Sequence, residues 1–329
     1  GVLRTKDSWF ILLKNTDNPT MTGIGECGLL RGLSIDDVPG YEAKLAEVCA
    51  DINNYQDWLT EGLKRFPSIH FGLEIALKDL ANHGSKILFP SDFTEKEQPI
   101  PINGLIWMGK KEFMFEQIKT KLSDGFDCIK LKIGAINFEE ELSLLKYIRQ
   151  QFSAQEIEIR VDANGAFQAT TALEKLKRLA DFELHSIEQP IKPGQWELMA
   201  QLCEKTTLPI ALDEELIGVF ESTEKRRVIE TIRPQYLIFK PSFIGGFSGT
   251  QEWIDLCAEF EIPWWMTSAL ESNIGLNAIA QWTATLNNPR PQGLGTGQLY
   301  TNNIESPLTV ERGQIFYSQA GKWDLSKLG

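Results

Sequence analysis

The sequence predicts an α/β fold: a closed barrel of parallel strands joined to a smaller α+β domain. Three observations predict it. From about residue 99, eight short apolar segments recur at a near-constant spacing, with polar or amphipathic stretches between them. The first 98 residues lack that rhythm. The C-terminal stretch has no helical pattern where a barrel helix would follow the eighth strand. Helices alternating with short apolar strands read as βα units around parallel strands. The rival, an open doubly wound sheet, needs a reversal of strand order. No GxGxxG follows the first strand to support a nucleotide-binding version of it.

The elements follow in order. Residues 8–13 (SWFILL) read as a strand, Asp17-Asn18-Pro19 as a turn, and 21–27 as the returning strand. Helical apolar spacing covers 41–63 and 70–80, with Gly84 as a stop. Barrel strands are expected at 100–107, 128–133, 157–161, 183–187, 210–212, 236–239, 264–266 and 292–294. Helices are expected between them at 111–122, 138–152, 170–179, 195–203, 222–231, 250–260 and 273–286. Asn137 with Glu140, and Ser268 with Glu271, have the spacing of capping boxes. Residues 308–310 and 314–317 look like short strands, so the tail is expected to return to the N-terminal domain. The domains are therefore placed at 1–98 together with 302–329, and at 99–301.

Composition narrows the class. A net charge of -12 argues against nucleic-acid and anionic-membrane partners, which reward basic surface. Cys27, Cys49, Cys128, Cys203 and Cys257 are widely spaced and include no CxxC pair, so neither a zinc site nor a disulfide framework is indicated. GVLRTKDSWF lacks the apolar run of a signal peptide, and no window is long and apolar enough to span a membrane. A reducing, cytoplasmic setting and a small-molecule partner are expected.

The chemistry lies at the strand ends. Lys130 and Lys132 (CIKLKIG) share one strand face. Asp162 (RVDAN), Glu188 (SIEQP) and Asp213 (ALDEE) end the next three strands, and Lys240 (LIFKP) ends the one after. In an eight-strand barrel the second and sixth strands face each other, with the acids on the arc between them. These are the C-terminal ends, where barrel enzymes keep their chemistry. Three converging carboxylates repel one another, and a divalent cation removes the conflict. All-oxygen ligation favours Mg2+ or Mn2+. A substrate carboxylate on that ion becomes an electron sink, and an adjacent lysine can then take its α-proton. Arg160 and Asn164 share strand parity with Asp162. Ser268, Leu270 and Glu271 follow the seventh strand and can offer hydroxyls or backbone N–H groups to a substrate. Gly293, Gly295 and Thr296 end the eighth strand and allow close approach of a bulky ligand.

These residues carry a resemblance. The chain resembles the enolase superfamily, in its muconate-lactonising subgroup. There a KxK pair, three acidic metal ligands and a lysine across the barrel occur in this order. The match falls on Lys130 and Lys132, on Asp162, Glu188 and Asp213, and on Lys240. The resemblance implies a modified TIM barrel of (β/α)7β type, a cap formed by both chain ends, Mg2+ (with Mn2+ as a substitute), and α-proton abstraction. RVDAN, IEQP, ALDEE, IFKPS, SALES and GLGTG are similar to the signatures of a dehydratase branch. That branch converts 2-succinyl-6-hydroxy-2,4-cyclohexadiene-1-carboxylate to 2-succinylbenzoate by syn-elimination in menaquinone synthesis, through a metal-stabilised enediolate. By resemblance, Lys132 removes the α-proton and returns it to the leaving hydroxyl, Lys240 stabilises the enediolate from the other face, and Lys130 tunes Lys132. Asn164, Glu214 and Arg160 would be the supporting partners. The alternative is an N-acylamino acid racemase or dipeptide epimerase of the same superfamily. Dipeptide epimerases tend to carry Asp-x-Asp where this chain has Gly295-Thr296-Gly297, which weighs against a dipeptide substrate. The resemblance further implies a strand and a mobile pocket-covering loop before this sequence, with Gly1-Val2-Leu3-Arg4 as the loop's far side.

Overall fold

The computed structural model describes residues 4–328. Gly1, Val2 and Leu3, read as the far side of a loop, lie outside the described residues. Seven parallel strands follow one another in sequence and in space. They are β4 (Gly104–Ile106), β5 (Cys128–Lys132), β6 (Glu158–Asp162), β7 (Ser186–Glu188), β8 (Ile210–Leu212), β9 (Tyr236–Phe239) and β10 (Trp264–Met266). The eighth position is held by single bridges: Gln292 pairs with Ile102 and Gly293 with Thr267. The segment 292–293 thereby joins the two edges of the seven-stranded sheet, and the expected eighth strand is reduced to its pairing contacts. Helices run between the strands, from Lys111–Ser123 to Asn273–Thr285. Their apolar faces and the outer faces of the strands form one continuous core. This is the modified TIM barrel with a capping domain.

The expected strand 100–107 is two strands. Ile100–Pro101 (β3) pairs with β12 (Gln314–Tyr317), which pairs with β11 (Leu308–Glu311) in an antiparallel three-stranded sheet. Gly104–Ile106 pairs with the next barrel strand, β5, and Ile102 makes the single bridge to Gln292. Here the returning tail meets the start of the barrel. The expected helix 41–63 is also broken. Tyr41–Ala50 stops at Asp51, and a short 3-10 turn and a π-helical turn carry the chain onward. Asn54 bonds to the Asp51 carboxylate instead of continuing the helix, as short polar side chains do in turns.

The N-terminal region supplies a two-stranded sheet, β1 (Trp9–Lys14) and β2 (Thr22–Cys27), laid on helix Pro67–Ala81. The sequence TGIGEC explains how close they lie. A Cβ at Gly23 would collide with the Ala76 carbonyl, and one at Gly25 with the Gly72 carbonyl. Asp79 of the helix holds the contact, accepting the Ile24 N–H at 2.8 Å and the Lys86 ammonium at 2.7 Å. The result is that Glu26, the residue after Gly25, is delivered fully buried against the barrel.

Candidate active site

Strand register builds the site. Lys132 pairs with Asp162 and Asp162 with Glu188, so these three side chains stand at one level on β5, β6 and β7. Asp213 follows the last residue of β8, and Lys240 follows the last of β9. Gln189 fixes the spacing between them. It adopts φ 38°, and its Oε1 accepts the N–H groups of Asp213 at 3.3 Å and Glu215 at 3.2 Å. Its Nε2 donates to Ile191 O and to Glu215 Oε2. Gln189 thus clamps the end of β7 to the end of β8. It was not singled out from sequence, although it stands in the IEQP motif.

The acids are balanced by amines. Lys130 Nζ lies 2.9 Å from Asp162 Oδ2 and 2.5 Å from Glu188 Oε2. Lys132 Nζ donates to Asp162 Oδ2 at 2.5 Å and to Asn164 Oδ1 at 2.8 Å. Lys240 Nζ donates to Asp213 Oδ2. Burial opposes the charge on Lys130, but the Asp162 and Glu188 carboxylates outweigh it and hold its pKa above the usual lysine value. Lys240 is likewise buried, and Asp213 followed by Glu188 raises it. Asp162 is buried too, yet Lys130 and Lys132 hold it well below the usual carboxylate range. Burial and the field of Asp162 push Glu188 well above that range. Asn164 connects Lys132 to Glu214, donating through Nδ2 to Glu214 Oε1 at 2.7 Å. Burial, then the neighbouring Asp213 charge, lift Glu214 to about 7.

Among the described residues, no group of three or more His, Cys, Asp or Glu side chains closes on a point that could hold an ion, because the ammonium groups stand between the acids. The donor set nevertheless fits a hard cation. Among the described residues, Glu188 Oε1 and Glu214 Oε2 are buried with no hydrogen-bond donor, and Glu188 Oε2 meets only the Lys130 ammonium. Carboxylate oxygens in that condition are costly unless a charge meets them. Asp162, Glu188 and Asp213 are the residues that could hold a divalent ion, all through oxygen.

The cleft above these residues encloses about 710 Å3, part of it open to solvent. Lys130, Lys132, Asn164, Glu214 and Lys240 line one side. Ser268, Leu270, Gly293, Gly295 and Thr296 line the other, and Leu30 and Leu33 reach in from the N-terminal region. Ser268 is bonded to both Thr296 and Glu271. Two residues expected at the site do not face the cleft. Arg160 stands two positions before Asp162, ~6.6 Å lower on the strand. It is buried at the bottom of the barrel, donating to Glu158 and to Pro291 O, with its guanidinium 4.2 Å from the Trp265 ring centre. Glu271 is turned away because Leu270 adopts φ 65°. It accepts from Ser242 Oγ, Ser268 Oγ and Ala269 N, and ties the exit of β9 to the exit of β10. The Ser268–Glu271 pair is thus real but caps no helix. Helix Asn273–Thr285 starts later, with Ser272 as its N-cap.

Comparison with known proteins shows the family and the fold. A family model described as "Enolase C-terminal domain-like" matches residues 114–321. The o-succinylbenzoate synthase of Desulfotalea psychrophila (strain LSv54 / DSM 12343) is 47% identical over 96% of this chain and 93% of its own length. The crystal structure of MenC from Desulfotalea psychrophila LSv54 superposes with a TM-score of 0.84, covering 94% of each chain at 47% identity. The L-Ala-D/L-Glu epimerase of Bacillus subtilis superposes with a TM-score of 0.79, covering 97% of this chain and 90% of its own, but at 17% identity it shares the fold alone. This chain belongs to the enolase superfamily and, within it, to the o-succinylbenzoate synthase family.

Proposed function

We infer that this enzyme dehydrates 2-succinyl-6-hydroxy-2,4-cyclohexadiene-1-carboxylate to 2-succinylbenzoate, a step of menaquinone synthesis. The observation that carries the reading is the pairing of that family membership with one cleft that presents Lys132 and Lys240 on strands flanking three acids. Enzymes of the superfamily use a divalent metal ion. We assign Mg2+, with Mn2+ as a substitute, to Asp162, Glu188 and Asp213. When bound, the ion supplies positive charge where the substrate carboxylate gains electron density. Lys132 removes the α-proton and then protonates the leaving hydroxyl from the same face, which makes the elimination syn. Lys240 presents a fixed ammonium from the opposite side and stabilises the enediolate. Lys130, held charged by Asp162 and Glu188, stands two residues before Lys132 on the same strand face, and we assign it to tune that amine. Asn164 orients the Lys132 amine and connects it to Glu214. Ser268, Leu270, Gly293, Gly295 and Thr296 shape the substrate side of the cleft. The barrel at 99–301 carries the chemistry, and the cap of 1–98 with 302–329 covers it. Among the described residues no helix is long and apolar enough to cross a membrane. We place the enzyme in the cytoplasm.

The test is turnover of the cyclohexadiene substrate with added Mg2+ by the unaltered enzyme and by Lys132→Ala. A positioned general base contributes about 10²–10⁴-fold, and a fall in kcat of at least that size is expected, with the folded state preserved. Normal turnover by Lys132→Ala would sink the mechanism. Solvent deuterium appearing at the α-carbon of an N-acylamino acid, faster than the dehydration, would move the assignment to a racemase.

A further inference from the structure

Asn103 lies at the bottom of the cleft wall, immediately before β4. Its side chain is not among the residues to which a role has been assigned above. Pairing places it on the side of the barrel opposite the acids. Asn103 N donates to Gln292 O at 3.0 Å, and Gly293, the next residue, pairs with Thr267. Thr267 in turn follows β10 beside Lys240, which follows β9. Asn103, Gly293 and Thr267 therefore stand on three adjacent strand positions and all line the cleft. The middle one has no side chain, and a Cβ there would strike the Thr267 hydroxyl. Gly295, two residues further on the same segment, also lines the cleft. The two glycines leave a groove along the eighth strand position, with a carboxamide on one flank and a hydroxyl on the other.

The other buried polar side chains of this wall are satisfied. Gln292 accepts the Met266 N–H and donates to Arg290 O, Thr296 donates to Ser268, and Ser268 donates to Glu271. Asn103 differs. It is only 5% exposed, and its Oδ1 has no partner among the described residues. A buried carboxamide oxygen without a donor costs free energy. A half-turn about its last torsion exchanges the oxygen for the NH2, so either end can meet a ligand in the groove.

The geometry points to Asn103 as a specificity-determining residue that hydrogen-bonds an oxygen of the substrate's acyl arm. This rests on the dehydratase reading given above. The reacting carboxylate belongs beside Asp162, Glu188 and Asp213. The part of the substrate that reaches the opposite wall is then its second oxygen-bearing limb, the succinyl chain. Its keto and carboxylate oxygens are acceptors, and the Asn103 NH2 is the donor that the wall offers them. The groove beside Gly293 gives an unbranched chain room to lie against the strand.

The experiment compares the unaltered enzyme with Asn103→Ala and Asn103→Asp, all with Mg2+. Steady-state kinetics on the cyclohexadiene substrate give kcat and KM. Calorimetry gives affinity for 2-succinylbenzoate and for benzoate, which lacks the arm. For Asn103→Ala the expected result is a KM raised about tenfold to a hundredfold with kcat within about threefold. Affinity for 2-succinylbenzoate falls by the same factor, and benzoate binding is unchanged. Asn103→Asp places an anion against the arm and weakens 2-succinylbenzoate further, again sparing benzoate. An unchanged KM in a folded Asn103→Ala enzyme overturns the assignment, as does equal weakening of the two ligands. Melting temperatures check that both variants fold. If Asn103→Ala does not, the Asn103→Asp benzoate comparison decides alone. Failure of the dehydratase reading shows separately, as absence of turnover by the unaltered enzyme. If that enzyme also fails to bind 2-succinylbenzoate, both readings fall.

Discussion

Replacing Glu26 with alanine is expected to destabilise the protein by about 3–5 kcal/mol, a large effect for one residue outside the apolar core. Glu26 is fully buried where β2 meets the barrel. Its Oε1 accepts from Ser8 Oγ at 2.8 Å and from Ser272 N at 2.8 Å. Its Oε2 accepts from Ser272 Oγ at 2.6 Å and from Gly275 N at 2.9 Å. Lys6 Nζ lies 3.8 Å away. Two of these donors are backbone N–H groups at the start of helix Asn273–Thr285, where an anion is favoured by the unpaired amides and the helix dipole. Each hydrogen bond to a charged group contributes about 1.5–3 kcal/mol, and a buried N–H left unpaired costs about 1–3 kcal/mol. These contributions share one carboxylate and do not add fully, which sets the estimate below their sum. Glu26→Gln keeps one acceptor oxygen but turns an NH2 toward two donors, so about half the loss is expected. Urea unfolding followed by circular dichroism measures both variants, with the slope against denaturant unchanged. The same variants disturb the loop before Ser272, which carries Ser268 and Leu270 on the cleft wall, so KM is expected to rise alongside. A loss below about 1 kcal/mol in Glu26→Ala would refute the claim that this carboxylate docks the N-terminal region onto the barrel.

Two further perturbations address charge. Adding Mg2+ to chelator-treated enzyme is expected to raise stability by about 2.7 kcal/mol at a hundredfold excess over its dissociation constant, and Glu188→Gln is expected to lose that gain in a thermal shift assay. The same shift in both proteins would count against Glu188 as a ligand. Asp36 is a buried acid away from the cleft whose pKa is lifted by burial from 3.8 to about 6 despite two bonds from Ser68. The folded state therefore holds this proton more tightly than the unfolded chain, and its contribution to stability falls as pH rises from about 4 to about 6. At 1.36 kcal/mol per pH unit the loss is about 3 kcal/mol. Asp36→Asn should flatten that part of the stability profile, and an identical pH dependence in urea titrations of the two proteins would contradict it.

The strand ends were legible because a strand's period of two fixes which face a residue uses, and a closed barrel makes that face the inside. Lys132, Asp162 and Glu188 fall into register on that basis alone. Depth is what the period leaves open. Arg160 has the parity of Asp162 and points inward as expected, yet it sits a layer below and meets Trp265 instead of the cleft. Backbone turns are equally hidden. The left-handed conformation of Leu270 reverses the sense of the SALES segment and buries Glu271 as a brace. Residues 100–107 read as one run because Ile100, Ile102, Leu105, Ile106 and Trp107 keep the segment apolar across Pro101 and Asn103. Its first half belongs to the sheet built by the tail, a pairing no local pattern announces. Gln189 and Asn103 were missed for a related reason. A neutral amide carries no charge signal, and its importance lies in which buried partners it has or lacks.

The arrangement of charge explains why three lysines accompany three acids. Asp162, Glu188 and Asp213 are buried, and isolated buried carboxylates would take up protons. Lys130, Lys132 and Lys240 each contact at least one of them, so the cluster is close to neutral by itself. Asp162, Glu188 and Asp213 would hold a divalent ion, which would supply charge that the lysines supply here, and the three amines are held to different degrees. Lys130 contacts two carboxylates, and Lys240 is buried and raised by Asp213 and Glu188. Lys132 contacts one carboxylate and a neutral amide, and it reaches furthest into the cleft, with its side chain 16% exposed. Of the three amines it is the one best placed to meet a substrate. The unequal pairing of the lysines thus separates two amines held deep among the acids from one that faces the cleft.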